Sequence, residues 1–502
     1  MSLLEHPVSQ GSSSLREISK SVQRAISQIA KKGNDIKRNN EDWEALTGVI
    51  RSFASLISAC PLPTNLLEEI SRQTISIFNK LFDESDESSF VNHASKERAD
   101  QVAQILMKFI FNDAREVLQI SAFKTAGKRY VISNLASTPK IEVLRIYADF
   151  PPTLCTELKN NIHYLPNLLV VEVPSKCSDV IIEEISNHCP NVETLIVKHS
   201  EEVTDQSVPY LQKLKKLVNL NVKSTGMSTE GYRRVLEARP CIDNINWDQS
   251  FITELLDGMT PEILNNKIKI TCELNSPRVL VDKCPNVRTL TIGVSHTTEL
   301  YPLTELKELK QLSIKGGHFH IGQENDIFEE NGKNLESLRL QSVHLCCIDS
   351  IIRYCVSLKT LKIEWCNIWE IENTELLSEM PHFISLRELT LENNTGGRSY
   401  CQLLRNYVNL KGLIIINRRN FQSYFNHEYF ENALRGGCFK SLEDFQYENC
   451  NYLTIRTARK LIEKCPNLTF LSTLSTWGRV TQDDIATLKE EIKLKNYDIE
   501  VY

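Results

Sequence analysis

The sequence predicts an α/β solenoid of about 14 strand-turn-helix units with a parallel concave sheet, preceded by an N-terminal all-α domain. Three observations carry this reading. A motif of the form apolar-x-x-apolar-x-apolar recurs from Ile141 to Leu468 at a mean spacing near 25 residues. Its last two apolar positions alternate, as in a short strand with one buried face. The 502-residue length exceeds what one globular core holds, roughly 250–300 residues, whereas a repeat array grows along one axis.

In chain order, residues 1–13 are expected to be flexible and residues 14–136 to form the helical domain. Leu15, Ile18, Val22, Ile26 and Ile29 recur at spacings of three and four, as do Leu46, Val49, Ile50, Phe53 and Leu56. Leu66, Leu67, Ile70, Ile75, Ile77 and Phe78 suggest a third helix, and Val102, Ile105, Leu106, Phe109 and Ile110 a fourth. The polar run from Asp83 to Ser89 reads as a loop. A further helix is expected around Ala114–Phe123, capping the first repeat.

The solenoid occupies 137–502. Its units are Ile141/Leu144/Ile146, Leu168/Val171/Val173, Val192/Leu195/Val197, Leu217/Leu220/Val222 and Ile242/Ile245/Trp247. A degraded copy at Ile268/Ile270 has Asn265 in the first apolar slot. Then follow Val287/Leu290/Ile292, Leu309/Leu312/Ile314, Leu335/Leu338/Leu340, Leu358/Leu361/Ile363, Leu386/Leu389/Leu391, Leu410/Leu413/Ile415, Leu442/Phe445/Tyr447 and Leu468/Leu471/Thr473. Ile499 and Val501 suggest a short terminal strand. Between strands, runs such as Val180, Ile181, Ile182 and Ile185 carry helical spacing. Three units open with Cys-Pro-Asn, at Cys189, Cys284 and Cys465, and two carry Cys three residues after the strand, at Cys366 and Cys450. Val203-Thr204-Asp205 reads as a capped helix start. Together these resemble the cysteine-containing leucine-rich-repeat (RNI-like) family found in F-box/leucine-rich-repeat proteins, over about three quarters of the chain.

That resemblance implies a non-enzymatic module recognising substrate within a cullin-type ubiquitin ligase, its N-terminal helices meeting the F-box-binding adaptor or elongin and cullin. Leu62-Pro63-Thr64-Asn65-Leu66-Leu67 is similar to an F-box opening, but no tryptophan closes the motif. Ser55–Cys60 resembles an elongin-binding box, followed by Leu62, Pro63, Leu66 and Ile70 as in a cullin-docking box; Pro61 would end the box's helix early.

Composition excludes other classes. With a net charge of -6 the chain is no globally basic nucleic-acid binder. No signal peptide and no run of ~20 apolar residues is visible. The chain therefore reads as cytoplasmic or nuclear, with its 15 cysteines reduced and mostly buried in repeat turns. The sequons at Asn393 and Asn467 read as chance matches. No Gly-x-Ser-x-Gly or phosphate-loop motif occurs, and His427-Glu428 lacks the second histidine of a zinc-protease motif, so neither catalysis nor a cofactor is expected. His318 and His344 hold nearly equal offsets in adjacent units and are expected to stack roughly 5 Å apart.

The expected site is the outward side of the sheet. Alternation places Lys198, Lys223, Lys267, Lys269, Lys315, Arg339 and Lys362 there, then Glu364, Glu388, Glu392, Asp444 and Glu448. This is a basic stripe on the order of 34 Å followed by about 15 Å of acidic face. The long unit from Leu410 to Leu442 adds Arg418, Arg419 and Tyr424, residue types common at interfaces. A protein partner on the concave face is the leading expectation. The alternatives are a scaffold without a ligase link, and RNA or a phospho-ligand along the lysines, for which no aromatic platform is interleaved.

Overall fold

A computed structural model describes residues 64–81, 101–107, 117–147, 152–248, 252–318, 327–368, 384–396, 407–417, 432–435 and 439–501, apart from single positions within them, together with 48 and 110. The chain divides into two compact units, Met1–Ile242 and Asp243–Tyr502.

The first unit holds a five-stranded parallel sheet: β1 (Val117–Gln119), β2 (Val143–Arg145), β3 (Val170–Glu172), β4 (Thr194–Ile196) and β5 (Asn219–Asn221), each paired with the next in sequence. Its helices are α1 (Thr64–Leu81), α2 (Thr125–Ser133), α3 (Pro152–Asn161), α4 (Asp179–His188), α5 (Val208–Lys213) and α6 (Thr229–Ala238). Every strand turns its central leucine or valine inward, and the first apolar slot of each repeat is likewise buried. Burying such a side chain contributes ~1.5–3 kcal/mol, which no isolated repeat could gain.

Helix α1 realises the third expected helix, with Ile70 and Phe78 buried, and residues 101–107 are helical as expected. The helices expected over 15–29 and 46–56 lie outside the described residues. The expected helix at Ala114–Phe123 is corrected: Val117–Gln119 is strand β1, in register with β2, followed by a 3-10 turn. Leu118 stacks on Leu144 in that register and extends the buried column, a contact that a helix there would forgo. The sheet thus starts ahead of the first recognisable repeat.

The second unit holds an eleven-stranded parallel sheet. Its strands are β6 (Asn244–Trp247), β7 (Lys269–Leu274), β8 (Thr289–Val294), β9 (Gln311–Gly316), β10 (Ser337–Gln341), β11 (Thr360–Glu364), β13 (Glu388–Glu392), β15 (Gly412–Ile416), β16 (Asp444–Glu448), β17 (Phe470–Ser472) and β18 (Glu500–Val501). Two short strands, β12 (Asn367–Ile368) and β14 (Thr395–Gly396), pair separately. Helices α7 (Ile252–Leu256), α8 (Pro261–Leu264), α9 (Pro277–Lys283), α10 (Ile327–Asn331), α11 (Ile348–Tyr354), α12 (Ile455–Lys464) and α13 (Gln482–Leu494) lie between or after them. All the repeat strands expected from the sequence are present, and β18 is the expected terminal strand. The architecture is that of an α/β leucine-rich-repeat solenoid, with its strands divided between two sheets: β5 pairs with β4, and β6 with β7.

Recurrent local chemistry shapes the repeats. Each Cys-Pro-Asn ends a helix: Cys189, Cys284 and Cys465 are the C-caps of α4, α9 and α12, held out of helical geometry by the following proline. Two residues after the last buried strand position the backbone turns left-handed, at Ser175, His199, Ser224, Gly316, Ser342, Trp365, Asn393 and Asn449. The next residue seals the strand end in several repeats: Asn394 Nδ2 donates to Ile363 O at 2.7 Å, and Cys366 Sγ faces Leu340 O at 3.5 Å. Thr204 caps its helix start as expected, its Oγ1 accepting from Gln206 N at 3.2 Å.

Aspartates tie successive repeats of the first unit together. Asp179, at the first turn of α4, accepts from Thr204 N at 2.8 Å and Thr204 Oγ1 at 2.6 Å, and also from Ser207 Oγ. One repeat later Asp205 accepts from Ser228 N at 2.8 Å and Ser228 Oγ at 2.6 Å.

Candidate interaction site

In each sheet, alternation leaves every second strand residue on the face opposite the core. Register then places these residues in rows across the strands.

On the first unit's sheet the outward residues include Arg145 and Glu172, neighbours in register, with Arg145 Nε 3.0 Å from Glu172 Oε1. Tyr147 OH donates to the same carboxylate, which raises the phenol's pKa above its ordinary value. Lys198 is exposed and Lys223 half-buried at the ends of β4 and β5. The remaining sheet residues of the expected basic stripe are in the second unit, so no single sheet carries the stripe.

On the second unit's sheet one row runs Asn244, Lys269, Thr289, Gln311, Ser337, Thr360, Glu388, Gly412, Asp444, Phe470, Glu500. The next outward row includes Arg339, Lys362, Thr390, Ile414, Gln446 and Ser472. A third includes Glu273, Gly293, Lys315, Gln341, Glu364, Glu392, Ile416 and Glu448. Lys269, Lys315, Arg339 and Lys362 therefore share one face with Glu388, Glu392, Asp444 and Glu448, in the expected order.

Lys267 is corrected. It is fully buried, at 0% exposure, because β7 sits two residues from the register read in the sequence. Ile270 pairs with Ile245 and Leu290, and Cys272 with Trp247 and Ile292. The unit is thus Lys267/Ile270/Cys272, with lysine in the first apolar slot and Glu273 as an added outward acid. Gly293 makes room for that acid: a Cβ there would meet the Glu273 carboxylate.

Glu364 is also unlike the expectation of a free acid. It is buried and receives Arg339 through Nε at 3.0 Å and Nη2 at 2.6 Å, so the one arginine of the basic run neutralises the first acid. Lys269 lies 3.2 Å from Asp243. Beyond Glu364 the acids keep other company: Glu448 accepts from Gln446 Nε2 at 2.7 Å, and Glu392 from Asn393 Nδ2 at 3.2 Å. Asp444 Oδ1 is enclosed with no hydrogen-bond partner among the described residues, and burial pushes this carboxyl's pKa up.

Arg418, Arg419 and Tyr424 lie outside the described residues, as do Ser55–Cys60. His318 and His344 form a parallel bridge with ring centroids 5.1 Å apart, close to the expected stacking distance. Cys346 beside them is buried, and among the described residues no group of three or more metal-ligating side chains assembles. Of the residues resembling a cullin-docking box, Ile70 is buried. No described helix is long and apolar enough to cross a membrane.

Arg145, Glu172, Glu273 and the outward Ile414 and Ile416 of β15 were not singled out in the sequence. The alternation rule that found Lys315 and Glu388 reaches each of them once strand parity is applied to every unit.

No family model matches the sequence, and no curated protein matches it. Among solved structures the chain is similar to a leucine-rich-repeat protein of Leptospira interrogans, at 14% identity and a TM-score of 0.35, over 74% of this chain and 97% of that one. It is similar to a chain of the yeast Rad7–Elc1 complex, at 15% identity and a TM-score of 0.36, over 87% of this chain and 94% of that one. An internalin (InlF) of Listeria monocytogenes matches at 13% identity and a TM-score of 0.32, over 89% of this chain and 98% of that one.

Proposed function

We propose that this chain is a non-enzymatic protein-interaction module that engages a protein partner on the outward face of its second unit's sheet. The observation carrying this reading is the charge order along that face. Lys269, Lys315, Arg339 and Lys362 precede Glu388, Glu392, Asp444 and Glu448 on strands in register, an arrangement that orients a partner of complementary order. Affinity purification of the full chain and of a Lys315→Glu/Lys362→Glu variant, with quantitative mass spectrometry, tests it. A protein recovered with the wild type and lost from the variant is the expected result; equal recovery by both refutes the reading.

The finer proposal is substrate recognition for a cullin-type ubiquitin ligase, with residues 14–136 as the adaptor contact. It is supported by the resemblance of the repeats to F-box/leucine-rich-repeat proteins. Co-purification of the F-box-binding adaptor or elongin, abolished by deleting 14–136, is its expected outcome. Recovery of a partner without either adaptor selects a scaffold instead.

A further inference from the structure

The acidic end of the second unit's sheet has a geometry that specifies its occupant more closely. Strand β15 turns Gly412, Ile414 and Ile416 outward, with no polar side chain among them. Register places Glu388 and Asp444 on either side of Gly412, and Glu392 and Glu448 on either side of Ile416. Two strand spacings separate the members of each pair, about 10 Å, and four residues separate the pairs along the strand, about 13 Å. Four carboxylates thus mark the corners of a rectangle with isoleucines along its midline and a glycine gap at one end.

Polar groups at the edge of this rectangle are unsatisfied. Asp444 Oδ1 is enclosed without a hydrogen-bond partner among the described residues. On the neighbouring strand Ser472, in register with Gln446 and 5% exposed, has an enclosed Oγ that is also unpartnered. Both atoms are sealed from solvent, so what a docked chain meets here is the charge of the four carboxylates. No lysine or arginine occupies an outward position on β13, β15, β16 or β17.

We infer that this rectangle docks an extended, cationic protein segment of the pattern basic-x-apolar-x-basic. In an extended chain residues i, i+2 and i+4 share one face and span about 13 Å, the length of the rectangle. Laid along β15, the first basic residue enters over Gly412 between Glu388 and Asp444. The apolar residue covers Ile414. The second basic residue runs its aliphatic stem along Ile416 and places its charge between Glu392 and Glu448. This deepens the interaction reading above and rests on it.

The test uses the full chain and a fluorescein-labelled peptide with the core Arg-Ser-Leu-Ser-Arg, followed by fluorescence anisotropy. Comparison peptides carry Glu-Ser-Leu-Ser-Glu and Arg-Ser-Ser-Ser-Arg. The expected result is saturable binding of the first peptide, weakened about tenfold by Glu388→Gln/Asp444→Asn and by raising NaCl from about 50 to 500 mM. Replacing its leucine by serine, or Ile414→Ser in the protein, should weaken it about fivefold. A second pair, Glu392→Gln/Glu448→Gln, probes the opposite corners should the first variant melt at a lower temperature than wild type. No binding at about 1 mM peptide, or affinity indifferent to both carboxylate pairs, overturns the inference. If the peptide fails while Lys315→Glu/Lys362→Glu still loses a purified partner, this inference falls and the broader reading stands; failure of both removes both.

Discussion

Replacing Asp179 by alanine should uncouple two repeats of the first unit. The carboxylate accepts from Thr204 N at 2.8 Å and Thr204 Oγ1 at 2.6 Å, and from Ser207 Oγ, so three donors of the next repeat converge on one acceptor. Hydrogen bonds to a charged group contribute about 1.5–3 kcal/mol each, but bonds sharing one carboxylate are not additive. Asp179 also lies in the first turn of α4, where the helix dipole favours an anion by ~0.3–1 kcal/mol. A loss of about 3 kcal/mol follows, since the half-buried Thr204 amide is left without its acceptor. Asp205→Ala, whose two bonds to Ser228 are more exposed, should cost about 1.5 kcal/mol. Asp179→Asn keeps one acceptor oxygen and should fall between. Urea unfolding followed by circular dichroism gives the magnitudes, and hydrogen–deuterium exchange at Thr204 and across α5 gives the location. If Asp179→Ala lies within about 0.5 kcal/mol of wild type, with exchange at Thr204 unchanged, the aspartate does not couple the repeats.

Three further outcomes follow from the core and its turns. Amine acylation of the native chain should modify Lys269 and Lys315 but spare the fully buried Lys267 until denaturation; modification of Lys267 at the rate of Lys269 would refute the β7 register. Burial pushes the Cys189, Cys284 and Cys465 thiols up to about 12, well above the ordinary value, so at pH 8 they remain protonated and should resist iodoacetamide while exposed Cys241 reacts. Because these thiols release protons more readily when unfolded, they leave stability unchanged below about pH 8.5 and lower it as pH rises toward 12; a flat profile from about pH 8.5 to 11 would contradict this. Ser342, exposed and left-handed at φ 54°, should tolerate glycine without loss, whereas Ser342→Val should cost about 1–2 kcal/mol in chemical denaturation.

The strands were legible because each repeat writes its buried positions twice, as a first apolar slot and as an alternating pair. Where that signal degrades, the sequence offers more than one register. At 265–272 Lys267 fills an apolar slot with its aliphatic stem, and Ile268 and Ile270 offered a false register two residues away. Strand β1 lacks a first apolar slot, and the run from Ala114 to Phe123 has ordinary helical spacing, so only pairing with β2 reveals it. The left-handed column is occupied by serine, histidine, glycine, tryptophan and asparagine, which share no sequence signature, so it is set by the turn rather than by a residue type. The division into two sheets falls between Leu217/Leu220/Val222 and Ile242/Ile245/Trp247, where the repeat continues without a mark in the sequence.

The outward charges were legible from strand parity alone, except for Lys267. What parity does not reveal is pairing: that Arg339 grips Glu364, or that Asp444 and Ser472 hold enclosed atoms without partners. Those facts turn a list of charges into a face with an ion-paired middle and an acidic end that has no cation on its own strands.

The proposed seat of the protein partner is the outward face of the second unit's sheet. Its most direct test is site-specific photo-cross-linking in cells, with benzoylphenylalanine placed in the full chain at Ser313 or Thr390 on that face, or at exposed Arg456 on α12. One protein should be cross-linked from both sheet positions and none from Arg456. Cross-links confined to Arg456, or absent from both sheet positions, would contradict it.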